Sequence, residues 1–435
     1  MTRGLLSWGR YPAQPQHARP VHWRDDIRAA LRTTPGPTLP FGNGRAYGDS
    51  CLAVSGKVIH MRPSDRIIAA DWATGILRAE AGITLAEILD HAVPRGWFLP
   101  VVPGTSHVTL AGAIANDVHG KNHHRRGTFG CHVRSFELVR SDAEPLVCSH
   151  TDHGDLFRAT IGGLGLTGII AWAEVALMPV SSLAVETLTQ RFDRLEDFFL
   201  LAEQQDSTHE YGVAWIDCTA TGRKRGRGIY IAADHAIAPA AARPPAHRLS
   251  VPFTPPISLV NSLTTRIFNP LYWRRASKAG RRQTVHHVPF FQPLDGIRNW
   301  NRLYGRQGFQ QFQCVVPDRT APCAIADLLG TVAGTGLASP LTVLKRCGDI
   351  ASPGLLSFPM KGVSLAIDFP QSRQLTADLL PRLDAIVHAA GGRLYPAKDA
   401  HMSAAHFQAA YPGWKTLEQC RDPALKSRFW ERVAT

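Results

Sequence analysis

Two stretches of this 435-residue chain hold residue types whose spacing suggests chemistry. The first is Phe41-Gly42-Asn43-Gly44-Arg45-Ala46-Tyr47-Gly48-Asp49-Ser50, a loop in which glycines leave backbone N–H groups open to close approach by an anion. It lacks the Lys and Ser/Thr of a nucleoside-triphosphate loop and the G-x-G-x-x-G spacing of a Rossmann turn, so neither of those nucleotide folds fits. The second is Asp117-Val118-His119-Gly120-Lys121-Asn122-His123-His124. His119 titrates in the range suited to proton handling, and Lys121 can hold an anionic or hydroxyl-rich ligand. A metal is not expected, because no Cys or carboxylate stands at ligand spacing beside these histidines.

Further stretches follow in a telling order: Val102-Pro103-Gly104-Thr105-Ser106, Thr109 to Asn116, and Gly162-Gly163-Leu164-Gly165-Leu166-Thr167-Gly168-Ile169-Ile170. Together they resemble the vanillyl-alcohol-oxidase type of FAD enzymes. The likeness runs from Trp8-Gly9-Arg10 to Arg393-Leu394-Tyr395-Pro396-Ala397-Lys398-Asp399. Within that family it is to members that oxidise a lipid-linked sugar.

The resemblance implies that Gly42, Asn43, Gly44, Arg45, Ala46, Tyr47, Gly48 and Asp49 hold the pyrophosphate of FAD. It implies further cofactor contacts from Gly104, Thr105, Thr109, Gly112, Asn116, Asp117, His119, Ile170 and Tyr395. FAD is expected to be noncovalent, since the loop from Gly42 to Ser50 has no histidine and Arg45 stands at the position where covalent relatives attach it. Lys398 matches a lysine beside the flavin ring, where a cation favours the reduced form, and is taken with His119 and Lys121 as the catalytic set. His119 acts either as general base or as an orienting hydrogen bonder. Trp215, Gln311, Gln313, Lys345 and Ser364 match substrate-pocket positions. Ser364 and Ala366 replace an Asn and a Cys of the family pattern, and Cys347 replaces an aromatic residue, which leaves the flavin site intact but bears on substrate identity.

These residues need a scaffold, and 435 residues suit two domains. The fold class expected is α+β, with a vanillyl-alcohol-oxidase-type FAD-binding domain (1–182), an antiparallel-sheet substrate cap (183–392) and a C-terminal segment (393–435) returning to the flavin side. Short strands are read at Val58–Met61, Ile67–Asp71 and Ile76–Ala81, and a helix capped by Thr84 follows. Longer strands are read at Gly212–Asp217, Gly228–Ala232 and Phe309–Val316. The Pro-rich stretch from Ala236 to Pro256 is read as a mobile loop, and the cap is expected to carry a mobile basic loop region over about 235–294.

Apolar residues make up 44% and charged residues 19%, a globular balance with no signal-peptide pattern and no run long enough to span a bilayer. The eight scattered cysteines read as free thiols, and a cytoplasmic location is expected. Net charge is +13, and from His235 to Leu294 there is no Asp or Glu while eight Lys or Arg fall there among apolar residues. That stretch suits an anionic membrane surface or simply a solvated loop and an amphipathic helix. No nucleic-acid motif accompanies the charge.

The reaction expected from the resemblance is FAD-dependent oxidation of a sugar secondary alcohol, the 2′-hydroxyl of a polyprenylphosphoryl ribose, with a partner reductase completing epimerisation to arabinose. The alternatives are an aldonolactone oxidase acting on a free sugar lactone and a flavin-binding protein without turnover.

Overall fold

The computed structural model describes residues 4–237 and 249–434. A small parallel sheet pairs β1 (His17–Pro20) and β2 (Pro40–Phe41) on either side of β3 (Lys57–His60). An antiparallel sheet follows, built from β4 (Ile67–Asp71), β5 (Ile76–Glu80), β6 (Val133–Val139), β7 (Leu146–Ser149) and β8 (Ile169–Ala176) in the order β4-β5-β8-β6-β7. Helix α1 (Leu85–Ala92) starts where its sequence says it should: Thr84 and Glu87 form a reciprocal capping box. Its Leu85, Ile88 and Leu89 are buried in a core shared with Leu77, Phe136 and Val175 of the sheet.

The second large sheet is antiparallel and eight-stranded. It comprises β9 (Ala184–Phe192), β10 (Tyr211–Ile216), β11 (Gly228–His235), β12 (Arg281–His286), β13 (Phe309–Pro317), β14 (Thr342–Cys347), β15 (Gly362–Pro370) and β16 (Arg393–Leu394), ordered β12-β9-β11-β10-β14-β15-β13-β16. Side chains alternate between its faces. Phe312, Cys314, Val316, Leu344, Leu365 and Ile367 turn to one side and pack on helices α2 (Leu195–Asp206), α4 (Ala321–Thr335) and α5 (Leu380–Ala389); α3 (Ser262–Arg274) lies elsewhere, at the sheet's end.

After β16 the chain runs back onto the first half. Tyr47 N–H donates to Ala397 O (2.9 Å), and Leu425 and Ser427 form bridges to Thr38 and Ala53. The expected mobile loop region of about 235–294 needs correcting in its later part, where α3 and β12 are regular elements. Residues 238–248 lie outside the described residues, but Leu249–Ser250 pairs with Ile297–Arg298, and Arg302 donates to Val251 O (2.9 Å) and Pro252 O (2.7 Å).

Candidate functional site

The loop from Gly42 to Gly48 leaves β2 and turns tightly, with Gly44 at φ +58°, a conformation that Cβ-bearing residues disfavour. Gly48 sits so close to the returning C-terminal segment that a Cβ there would lie 1.7 Å from Asp399 O. Among the described residues, the backbone N–H groups of Asn43, Gly44, Arg45 and Ala46 donate to no protein acceptor. Four such donors in succession form an anion cradle, which fits a pyrophosphate. The Arg45 guanidinium stacks over Trp8 at 4.1 Å, and its Nε is buried without a partner. Thr109 caps the short helix Leu110–Ala115 through Gly112 N–H (3.2 Å) and stands beside Gly42, where a Cβ would come within 2.4 Å of Thr109 Oγ1. Gly104 faces open space and leaves room for a ligand.

Opposite this loop lies the polar face of the eight-stranded sheet. Pairing Gln311 with Asp368, Gln313 with Ala366, Ser364 with Lys345, and Trp215 with Val343 puts all of these residues on the same side. His119 reaches up to that face. The Lys345 ammonium donates to His119 Nδ1 and to Gly120 O (2.6 Å), while the Gln313 carboxamide lies 3.2 Å from His119 Nε2. A cationic Lys345 makes Nδ1 an acceptor and puts the imidazole proton on Nε2, so the chemistry there calls for the carboxamide oxygen of Gln313 as partner. Burial holds the His119 imidazolium well below its ordinary range, and the charges of Lys345, His123 and Lys398 depress it further. The ring sits against Tyr395 and Phe358, themselves stacked at 4.5 Å. Tyr395 in turn donates to Asn116 O (2.9 Å).

Lys398 lies 3.6 Å from the centre of the Tyr47 ring, directly beside the cradle loop. Burial lowers its basicity, against the opposing pull of the Asp368 carboxylate. Asp368 is raised by the same burial and accepts from Gln311 (2.5 Å). The site is therefore rich in cations, with Lys398 and Lys345 both made less basic by desolvation. Such a site favours an anionic ligand.

Several expected residues are occupied otherwise. Lys121 donates to Phe290 O and Phe291 O (3.3 Å), so its ammonium is held by carbonyls of the adjoining segment. The Asp117 carboxylate is fully buried and accepts from Gly130 N–H (2.8 Å), Ser352 Oγ and Ser357 Oγ (2.5 Å each), clasping two loops together and leaving only its backbone for a cofactor. Asp49 is likewise engaged with Arg432 (2.9 Å). Trp215 is on the site face, but its indole donates to Pro340 O (2.8 Å) and packs edge-on against Tyr272 of α3. Ile170 lies in β8, buried within the five-stranded sheet.

Sequence reasoning gave Asp368 and Phe358 no role. Period-two alternation from Gln311 and Gln313 across the paired strand was the available signal for Asp368; Phe358 sits in a loop without periodicity and had none.

A cradle that fits a pyrophosphate, facing a polar sheet across buried lysines, suits a flavin-dependent oxidoreductase. Residues 20–149 match the family model described as the FAD binding domain. The chain is 34% identical to decaprenylphosphoryl-β-D-ribose oxidase of Mycolicibacterium smegmatis over 97% of its own length and 95% of that protein's. It is 36% identical to an uncharacterised protein of Streptomyces coelicolor over 79% of the chain and 96% of that relative. A putative D-arabinono-1,4-lactone oxidase of Neurospora crassa is 32% identical, over 33% of the chain and 25% of its own length. The chain belongs to the family of decaprenylphosphoryl-β-D-ribose oxidase; it is an FAD-binding oxidoreductase that acts on CH–OH groups.

Proposed function

We propose that the protein oxidises the 2′-hydroxyl of a polyprenylphosphoryl-β-D-ribose to the 2′-keto sugar, the first half of an epimerisation to arabinose that a partner reductase completes. The observation that carries this reading is the row of donors on one sheet face, Gln311, Gln313, Ser364 and Lys345, set across from the cradle and Lys398. Amide and hydroxyl groups suit sugar hydroxyls, and a surplus of buried cations suits the phosphate. The eight-stranded sheet acts as the substrate cap of a two-domain enzyme.

Bound FAD would supply the hydride acceptor for the carbinol carbon. The hydroxyl proton passes to the Asp368 carboxylate, whose proton affinity burial raises. Around it, Lys398 provides a cation whose charge, costly in the buried site, is offset when negative charge develops beside it. His119 serves as an orienting hydrogen bonder: its Nδ1 is taken by Lys345 and its protonation is opposed by neighbouring lysines, a poor arrangement for storing a proton. Gln311 holds Asp368 in place beside Lys398. The cofactor is held noncovalently, so acid precipitation should leave a colourless pellet under a yellow supernatant.

Substrate carrying deuterium at C2′ tests the site of oxidation. A primary isotope effect on flavin reduction is expected; none with C2′ label, but one with label at another ring carbon, would reassign the hydroxyl. An aldonolactone is the second reading, favoured only by the partial match to the lactone oxidase.

A further inference from the structure

Helix α3 has two unlike sides. Its inner side is fixed to the end of the eight-stranded sheet: Asn269 is buried and donates to Asp217 (3.0 Å) and Ser339 O (3.2 Å), Trp273 donates to Phe192 O (3.0 Å), and Tyr272 meets Trp215 edge-on. Its outer side carries Leu263, Ile267 and Leu271, one above another at four-residue spacing and 71%, 57% and 56% exposed. Leu249, Phe253, Ile257 and Leu259, in the segment leading into the helix, are each more than half exposed. On the helix and in the segment just after it lie Arg266, Arg274, Arg275, Lys278, Arg281 and Arg282, all exposed; among the described residues only Lys278 of these has an ion pair, with Asp193. No acidic residue occurs between 235 and 294.

We infer that α3 and the segment before it form a docking surface for an anionic lipid bilayer, with the helix lying in the plane of the interface. An apolar stripe accompanied by exposed cations is the pattern of an interfacial helix, with the apolar side chains entering the acyl boundary and the cations meeting lipid phosphates. A second copy of the chain is a poor occupant, because a two-fold contact would set one cationic rim against another. Tyr272 against Trp215 joins this surface to the site face of the sheet, so docking would bring that sheet close to the bilayer from which a lipid-linked sugar must come. This assignment rests on the exposed surface itself and stands apart from the choice of substrate.

The test uses the FAD-loaded full chain and sedimentation with phosphatidylcholine vesicles, with and without phosphatidylglycerol. The parent should sediment with the anionic vesicles, more weakly as salt rises, and poorly with phosphatidylcholine alone. Leu263→Ser/Ile267→Ser/Leu271→Ser should weaken the binding about tenfold or more. Arg274→Ser/Arg275→Ser/Arg281→Ser/Arg282→Ser should do the same and flatten the salt dependence, each cation near such a surface strengthening binding about fivefold. Both variants should keep the parent's flavin content and melting temperature, which separates lost docking from lost folding. Failure of the parent to bind, or equal binding by parent and leucine–isoleucine variant, overturns the assignment. So does a concentration-dependent dimer of the parent that the same variant abolishes without any vesicle binding. The vesicles contain no sugar, so sedimentation reads docking alone, whatever substrate the site takes.

Discussion

The two faces of the eight-stranded sheet come from the same strands and differ by one residue of register. On one side Phe312, Cys314, Leu344, Leu365 and Ile367 bury against helices; on the other Gln311, Gln313, Lys345, Ser364 and Asp368 confront the cradle loop. The apolar face is closed by packing, and its side chains have every neighbour they need. The polar face is closed in part by costly groups: buried lysines made less basic, an imidazole that resists protonation and a carboxylate raised by burial. Groups whose ionisation is shifted together in a cleft point to a functional site. Stability and chemistry thus reside on opposite sides of one scaffold, and single substitutions should separate them.

The largest effect should come from Lys398→Ala. Losing a preorganised charge stabiliser costs roughly 3 kcal/mol in the transition state, so flavin reduction should slow about a hundredfold or more while FAD stays bound and the melting temperature barely moves. A parent-like reduction rate in stopped flow would remove Lys398 from the site. Leu365→Ala on the opposite face should do the reverse. It should cost roughly 3 kcal/mol in chemical denaturation through the cavity it leaves, with the rate per folded, flavin-loaded molecule little changed.

A pH experiment sharpens the contrast. His123 accepts from Gly348 N–H through Nδ1 (3.1 Å), and burial drives its imidazolium down to about 3 from an ordinary 6.5. Below pH 6.5 the unfolded chain therefore binds a proton that the folded one refuses. Stability is full above that pH and falls as pH drops toward 3, by about 2 kcal/mol at pH 5 from this group alone. Denaturation of His123→Asn should show a correspondingly shallower fall between pH 6.5 and 4; an unchanged slope would mean His123 is not held neutral.

Ser364→Ala should have the smallest effect. Its hydroxyl is 3.5 Å from the Gln313 amide, a weak contact, so KM should rise only about threefold with kcat nearly constant.

Sequence patterns located the scaffold well where periodicity was strong. Ile67–Asp71 was read with the bounds that β4 has, and Thr84 was read as the cap of α1. The cradle loop was legible because its glycines meet local steric demands, seen in the φ of Gly44 and the crowding at Gly48. What escaped depends on contacts distant in sequence. Nothing near Lys121 predicts that Phe290 and Phe291 will present carbonyls to it, and nothing near Asp117 predicts two serines arriving from residues 352 and 357. Lys398 had no local signal either; its place beside Tyr47 follows from the return of the C-terminal segment along the cradle.

The central claim is that this cationic, hydroxyl-binding face takes a phosphate-linked ribose. Anaerobic mixing of the FAD-loaded enzyme with a polyprenylphosphoryl ribose, and separately with D-arabinono-1,4-lactone, tests it most directly through the flavin absorbance. The account predicts rapid bleaching by the lipid-linked ribose and little by the lactone; bleaching by the lactone alone would contradict it.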